Sequence, residues 1–165
     1  MLTGVKSQWV REKVRGGVQL RAVVCGSFGD FDGYLKVLNL VRNTYGAGNV
    51  FPDEEHLRKA MPSIISHHVT RTESEETILD RSKLMLVYFM NIDLAEVVVV
   101  INEKCGQEYY GAGTMMELGY AIAKSKTVYL TRQPTNPNML SLLKRSPNNS
   151  SVTIWQPPGN KFTKK

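Results

Sequence analysis

Val97-Val98-Val99-Val100-Ile101, followed by Tyr109-Tyr110-Gly111-Ala112-Gly113-Thr114-Met115-Met116-Glu117-Leu118-Gly119-Tyr120-Ala121, reads as a buried strand, a glycine-rich loop and the opening of a helix. A short, continuous β-branched run is apolar on both faces, as an inner strand of a parallel sheet must be. In open α/β sheets, ligands settle at the carboxyl ends of the strands, against the start of the following helix. Glu117 is therefore placed where a carboxylate can hold a ligand hydroxyl or attack an electrophilic carbon. A second reading serves the same residues equally well. Thr114-Met-Met-Glu117 has the spacing of a capping box, in which both side chains satisfy orphan amides at a helix start.

The rest of the chain alternates strand-like and helix-like patterns around that run. Val18 to Cys25 is a first strand ending at Gly26-Ser27, and Gly33 to Tyr45 a helix stopped by Gly46-Ala47-Gly48. Asn49 to Pro52 is a second strand, Glu54 to Ala60 a brief helix, and Glu73 to Leu94 a long helix with acids at its start. After the Glu117 helix, read over Met115 to Lys124, come a fourth strand (Thr127 to Thr131), a short helix (Met139 to Arg145) and a fifth strand (Ser151 to Trp155). The expected fold is a flavodoxin-like (Rossmann-like), doubly wound α/β sheet of five parallel strands in the order 2-1-3-4-5. Its switch point lies between strands one and three, which puts Gly26-Ser27 and the Gly111 loop on one crevice.

A chain of 165 residues that is 42% apolar suffices for one core. The expected organisation is a basic extension over 1–17, an α/β domain over 18–158 and a basic tail over 159–165. The net charge of +6 resides in the ends: Lys6, Arg11, Lys13 and Arg15 against Glu12, then Lys161, Lys164 and Lys165. The neutral body between them argues against nucleic acid as a partner. No apolar run approaches the ~20 residues of a bilayer span, and 1–17 lacks a signal peptide's apolar stretch, so a soluble, cytoplasmic protein is expected. Cys25 and Cys105 form neither a disulfide framework nor a metal knuckle, and no metal site is expected.

Three segments resemble the nucleoside 2-deoxyribosyltransferase family, which includes deoxynucleotide N-hydrolases. They are Val23-Val24-Cys25-Gly26-Ser27, Ala95-Glu96-Val97-Val98-Val99-Val100-Ile101-Asn102, and Gly113-Thr114-Met115-Met116-Glu117-Leu118-Gly119-Tyr120-Ala121 with Lys126-Thr127-Val128 beyond it. The resemblance implies cleavage or transfer at the N-glycosidic bond of a (deoxy)nucleoside or nucleotide, with Glu117 as nucleophile and no cofactor. It also implies a homo-oligomer. Gly26, Ser27, Asp30, Tyr88, Asn102, Gly111, Gly113 and Thr114 are the corresponding substrate-binding candidates. Where family transferases carry Asp and the monophosphate hydrolases Ser, six residues before the Glu, this chain has Gly111. Where the transferases place a further active-site Asp, it has Tyr88. Gly111-Ala112-Gly113-Thr114-Met115-Met116-Glu117 also resembles the signature of cytokinin-activating phosphoribohydrolases. A nucleotide-sensing domain that no longer turns its ligand over is the alternative from another class.

Other residues carry competing readings. Asp32, just before Gly33, is the expected helix cap, which leaves Asp30 to a ligand. Ser27 either turns the chain or cradles a 5′-hydroxyl or phosphate. Tyr109-Tyr110 suit base stacking or a subunit interface. Asn91 and Asp93 are expected on an exposed helical face, and His67-His68 in an exposed loop.

Overall fold

A computed structural model describes residues 20–58, 75–145, 147 and 150–157. Both basic ends, His67-His68 and the beginnings of the predicted first strand and long helix lie outside the described residues.

Five strands form one parallel sheet: β1 (Ala22–Gly26), β2 (Val50–Phe51), β3 (Val97–Ile101), β6 (Thr127–Leu130) and β7 (Ser151–Ile154). Their order, β2-β1-β3-β6-β7, is the flavodoxin-like order expected, with the switch point between β1 and β3. The remaining strands, β4 (Glu103–Lys104) and β5 (Gln107–Glu108), form a separate antiparallel hairpin after β3. Sequence reading missed this hairpin because each arm has only two residues and its turn is Cys105-Gly106. The two turn residues take φ of 50° and 76°, a conformation more familiar in Asn-Gly.

All five residues of β3 are buried, and its side chains alternate between two cores. Val98 and Val100 join Val23 and Cys25 of β1 on one face, while Val97, Val99 and Ile101 join Ala22 and Val24 on the other. Each such buried valine contributes about 1.5–3 kcal/mol relative to exposure. The first face is covered by α2 (Glu75–Leu94), α3 (Ala112–Ala123) and α4 (Pro137–Lys144), through Tyr88, Ile92, Leu118, Ala121, Ile122 and Met139. The second is covered by α1 (Phe31–Tyr45), through Tyr34, Leu38 and Val41, at helical spacing. Gly46 ends α1 at φ 87°, its N–H bonded to Arg42 O at 2.8 Å, as the glycine cluster predicts.

Side chains tie the elements at both sheet edges. At the amino edge, Lys126 Nζ donates to Asp93 O (2.9 Å) and Ala95 O (2.8 Å), satisfying carbonyls at and just beyond the end of α2. The Asp93 carboxylate accepts from Tyr120 and pairs with Lys124 at 3.0 Å, holding α2 to α3 far from the crevice. Asn91 is fully buried rather than exposed, its Nδ2 bonded to Val87 O.

At the carboxyl edge, β1 and β3 approach closely at Gly26. A Cβ there would stand 2.9 Å from the Cβ of Ile101, a branch point that cannot swing aside. Gly26→Ala should therefore lower the unfolding free energy by about 1–3 kcal/mol, the usual cost of overpacking, measured by urea denaturation. An unchanged midpoint would show that the two strands separate at no cost.

Candidate active site

The Glu117 helix begins three residues earlier than the sequence suggests. α3 starts at Ala112, with Gly111 as N-cap at φ −69°, ψ 156° and no side-chain capping bond. Its first turn closes through Met115 N–H to Gly111 O at 2.9 Å. Thr114 is then the third helical residue and Glu117 the sixth, in the second turn, where no orphan amide remains to be capped. The capping-box reading falls. Thr114, Glu117, Leu118, Ala121 and Ile122 instead form the buried stripe of α3, so helical periodicity itself carries the carboxyl inward.

That carboxyl lines a cavity of about 330 Å³ at the carboxyl edge of the sheet, near the lower end of the ~300–1,000 Å³ usual for small-molecule sites. Gly26, Ser27 and Phe28 form one wall and Gly111, Ala112, Gly113 and Thr114 another. Leu84, Met85 and Tyr109 complete it. Ser27 and Gly111 thus line one crevice, brought together by the pairing of β1 with β3.

Glu117 is only 8% exposed, and burial pushes its pKa up to about 8. The Cys25 thiol, fully buried on β1, interacts with the carboxyl by a side-chain hydrogen bond and opposes that rise. The thiol is itself driven well above its ordinary pKa, first by burial and then by the Glu117 charge. Tyr34 and Tyr88 lie within electrostatic range, their hydroxyls 3.2 Å apart and the Tyr34 hydroxyl donating to Val24 O at 3.0 Å. Burial raises both phenols well above their usual pKa, so they stay neutral.

Several expected ligand contacts do other work. Asp30, not Asp32, caps α1: its Oδ1 accepts from Gly33 N–H and its Oδ2 from Cys105 N–H, both at 3.1 Å. Those amides hold the carboxyl below the usual range. Tyr88 is 1% exposed and reaches the phenol of Tyr34 rather than the cavity. Asn102 is wholly buried. Its Nδ2 donates to Arg132 O (2.8 Å) and Tyr110 Oη (3.1 Å), and its Oδ1 accepts from Arg132 N–H (2.8 Å) and Thr131 Oγ1 (3.3 Å). It joins the ends of β3 and β6 and anchors Tyr110 beside the glycine loop. Ser27 Oγ accepts from Gly29 N–H at 3.2 Å, forming the expected turn while keeping its own proton free to donate. Sequence reading missed Cys25 as a partner of Glu117, because an apolar strand gives no sign of what its thiol meets. It missed Leu84, Met85 and Phe28 as walls for the same reason.

A second cavity, of about 410 Å³, opens on the α1 face of the same edge, between Val37, Leu40 and Trp155. It is the larger, yet its acids are committed: Asp30 to two amides, Glu103 to Arg132 at 3.7 Å. The buried carboxyl with an unsettled charge state lies in the smaller one. Among the described residues, no group of three or more His, Cys, Asp or Glu is arranged to hold a metal ion, and no helix is long and apolar enough to cross a membrane.

No protein-family model matches the chain, and no curated protein matches it in sequence. Among solved structures, the chain is similar to the CMP N-glycosidase BcmB of Clostridium botulinum, with a TM-score of 0.46 and 12% identity over 82% of this chain and 88% of that one.

The burial of Glu117 sets a pH dependence of stability. With a folded pKa of about 8 against an ordinary 4.5, the folded protein keeps a proton that the unfolded chain releases. Stability then falls as pH rises from about 4.5 to about 8, and the full cost is present above that. Glu117→Gln removes the titration. Relative to wild type, the variant should gain stability on the order of a few kcal/mol between about pH 5 and about pH 9, read from denaturation midpoints. An equal difference at both pH values would place the carboxyl in water.

Proposed function

We propose that this protein cleaves or transfers at the N-glycosidic bond of a nucleoside or nucleotide, with Glu117 as the attacking group. The observation that carries the reading is the position of Glu117: a carboxyl on the buried stripe of α3 that nonetheless lines a cavity, between the Ser27 turn and the Gly111 loop. The family resemblance of Cys25-Gly26-Ser27 and Gly113 to Ala121 agrees with it.

The chemistry follows from the burial of Glu117. As the C1′–N bond breaks, its electron pair leaves with the base, which takes a proton from solvent, and positive charge develops at C1′ and the ring oxygen. A carboxylate held against C1′ stabilises that charge and forms a glycosyl ester, with the substitution inverting C1′. Water or a second base then attacks C1′ from the vacated side, freeing Glu117 and restoring the original configuration. Because the carboxyl is largely withdrawn from water, its attraction to the developing cation is stronger than between exposed charges. Cys25 supports the anion from below by its thiol hydrogen bond.

Glu117 must be ionised to attack, and with a pKa of about 8 only about a tenth of the free protein carries the charge at pH 7. In this reading kcat/KM rises with pH and levels off above about 8. A general acid at the same position would give the opposite profile, falling as the carboxyl ionises. Glu117→Gln should reduce base release from nucleosides or their monophosphates by at least a factor of about 100, while binding persists. Normal turnover by that variant would falsify the assignment. A nucleotide sensor is the second reading: Glu117 is the only carboxyl among the described residues lining the cavity, Gly111 supplies none, and Tyr88 does not reach it. Binding without base release by the wild-type protein, across the whole panel and up to about pH 9, is its signature.

The reading extends to a homo-oligomer. Leu86, Met116 and Met115 are 59%, 51% and 42% exposed on α2 and α3, the helices that wall the cavity, and a like surface would cover them. Light scattering should give a mass above 18.6 kDa, reduced in Leu86→Glu/Met116→Glu. A monomeric wild type at micromolar concentration would refute it.

A further inference from the structure

Lys104 belongs to the hairpin that sequence reading missed. It precedes the Cys105-Gly106 turn, and the Cys105 N–H bonded to Asp30 Oδ2 pins that turn against the segment leading into α1. The ammonium therefore lies near Ser27 and Tyr109, two residues of the Glu117 cavity wall. A Cβ at Gly29 would stand 2.7 Å from Lys104 Nζ, 3.0 Å from its Cε and 3.4 Å from Ser27 Oγ. Cation and hydroxyl thus flank one point, and only a glycine leaves that point open. On its other side the ammonium sits 5.2 Å from the ring centre of Tyr109, which itself lines the cavity.

No carboxylate lies within 4 Å of this ammonium among the described residues. The acid it interacts with electrostatically, Asp30, has both oxygens engaged by the amides of Gly33 and Cys105. Lys104 is half-buried rather than free in solvent. A partly desolvated cation beside a hydroxyl with a proton to give is complementary to a dianion with several acceptor oxygens. A neutral hydroxymethyl group offers it one acceptor oxygen and no charge.

We infer that Lys104 and Ser27 receive the 5′-phosphate of the ligand, so that the cavity takes a nucleoside 5′-monophosphate in preference to the free nucleoside. The inference rests on reading the cavity as a nucleoside site. C1′ and C5′ flank the ring oxygen on opposite sides of the sugar. With C1′ at the buried Glu117 carboxyl, the 5′ substituent points away from the floor, towards Ser27 and Lys104. A phosphate carries about −1.5 to −2 charge at pH 7, and Glu117, mostly protonated in the free protein, does not repel it on entry. The capping of α1 by Asp30 in place of Asp32 then has a reason, because the same carboxylate also holds the hairpin that presents Lys104.

Binding is best measured with Glu117→Gln protein, which is expected to leave the probes intact, by calorimetric titration with the common ribo- and deoxyribonucleoside 5′-monophosphates and the matching nucleosides. At least one monophosphate should bind tenfold or more tighter than its nucleoside. Adding Lys104→Gln should shrink that ratio about tenfold or more, and adding Lys104→Arg, which keeps the charge, should hold it within a few-fold. The monophosphate affinity should also weaken with salt more steeply when Lys104 is present. A ratio unchanged by Lys104→Gln, nucleosides binding as tightly as monophosphates, or no monophosphate binding at all would each overturn the inference. Turnover by the wild-type protein tests the other reading separately. Lys104-dependent binding of monophosphates without base release would remove the glycosidic reaction and leave the phosphate site. Base release from nucleosides and monophosphates alike, indifferent to Lys104, would do the reverse.

Discussion

The parallel pairing of Ala22–Gly26 with Val97–Ile101 governs everything at the carboxyl edge of this protein. Five consecutive residues pair in register, ending with Gly26 opposite Ile101, and the chain departs from both strands at the same level of the sheet. One departure makes the Ser27 turn; the other makes the hairpin and the Gly111 loop. Because both departures are fixed by a ladder inside the core, the walls of the cavity are held by the most buried part of the fold. The missing side chain at Gly26 lets the strands approach, and a shift there would move both walls at once.

On that frame, the charge of Glu117 becomes the quantity that matters. The helix that carries it is held by an apolar stripe, and the carboxyl shares the stripe, so packing forces α3 to bury an acid with no cation against it among the described residues. The cost is that the carboxylate form is disfavoured. What relieves it comes from a thiol on β1, while the neutral phenols of Tyr34 and Tyr88 fill the space beneath. A group poised near neutrality in a cleft is the usual condition of an acid–base or nucleophilic residue, though structural burial alone produces the same shift. Glu117 combines the two features, burial and a cavity wall.

Asp30 and Asn102 show a different use of polar side chains. Each lies beyond a strand end with its acceptors filled: Asp30 by the amides of Gly33, three residues on, and Cys105, 75 residues away, and Asn102 by the Thr131 hydroxyl and the Arg132 amide at the end of β6. Asp30 couples α1 to the hairpin, and Asn102 couples β3 to β6 and to Tyr110. Both determine where loops stand. An expectation that polar residues near a sheet edge touch the ligand overlooks this competition, because buried main-chain groups must also find partners.

The local pattern of residues determined the sheet: the valine run with its paired apolar neighbours, the α1 stripe ended by Gly46, and the alternation of elements led to five parallel strands in the observed order. Those features depend on periodicity and on the intrinsic geometry of glycine, which are properties of short stretches of chain. Only the tertiary structure decided what the polar residues do. Gly111-Ala112-Gly113 has the composition of a loop, yet α3 already begins at Ala112, and burial of its Thr114, Leu118, Ala121 and Ile122 stripe carries Glu117 from a capping position to the buried face. Asp32 reads as the cap until the fold gives Asp30 the Cys105 amide from 75 residues away. Cys25 reads as one more apolar strand residue until α3 sets a carboxyl beside it. Nothing in the local sequence marks Lys104 until its hairpin folds back on Gly29. In each case the deciding partner is distant in the chain, and hydrogen bonding and desolvation depend on the distance in space alone.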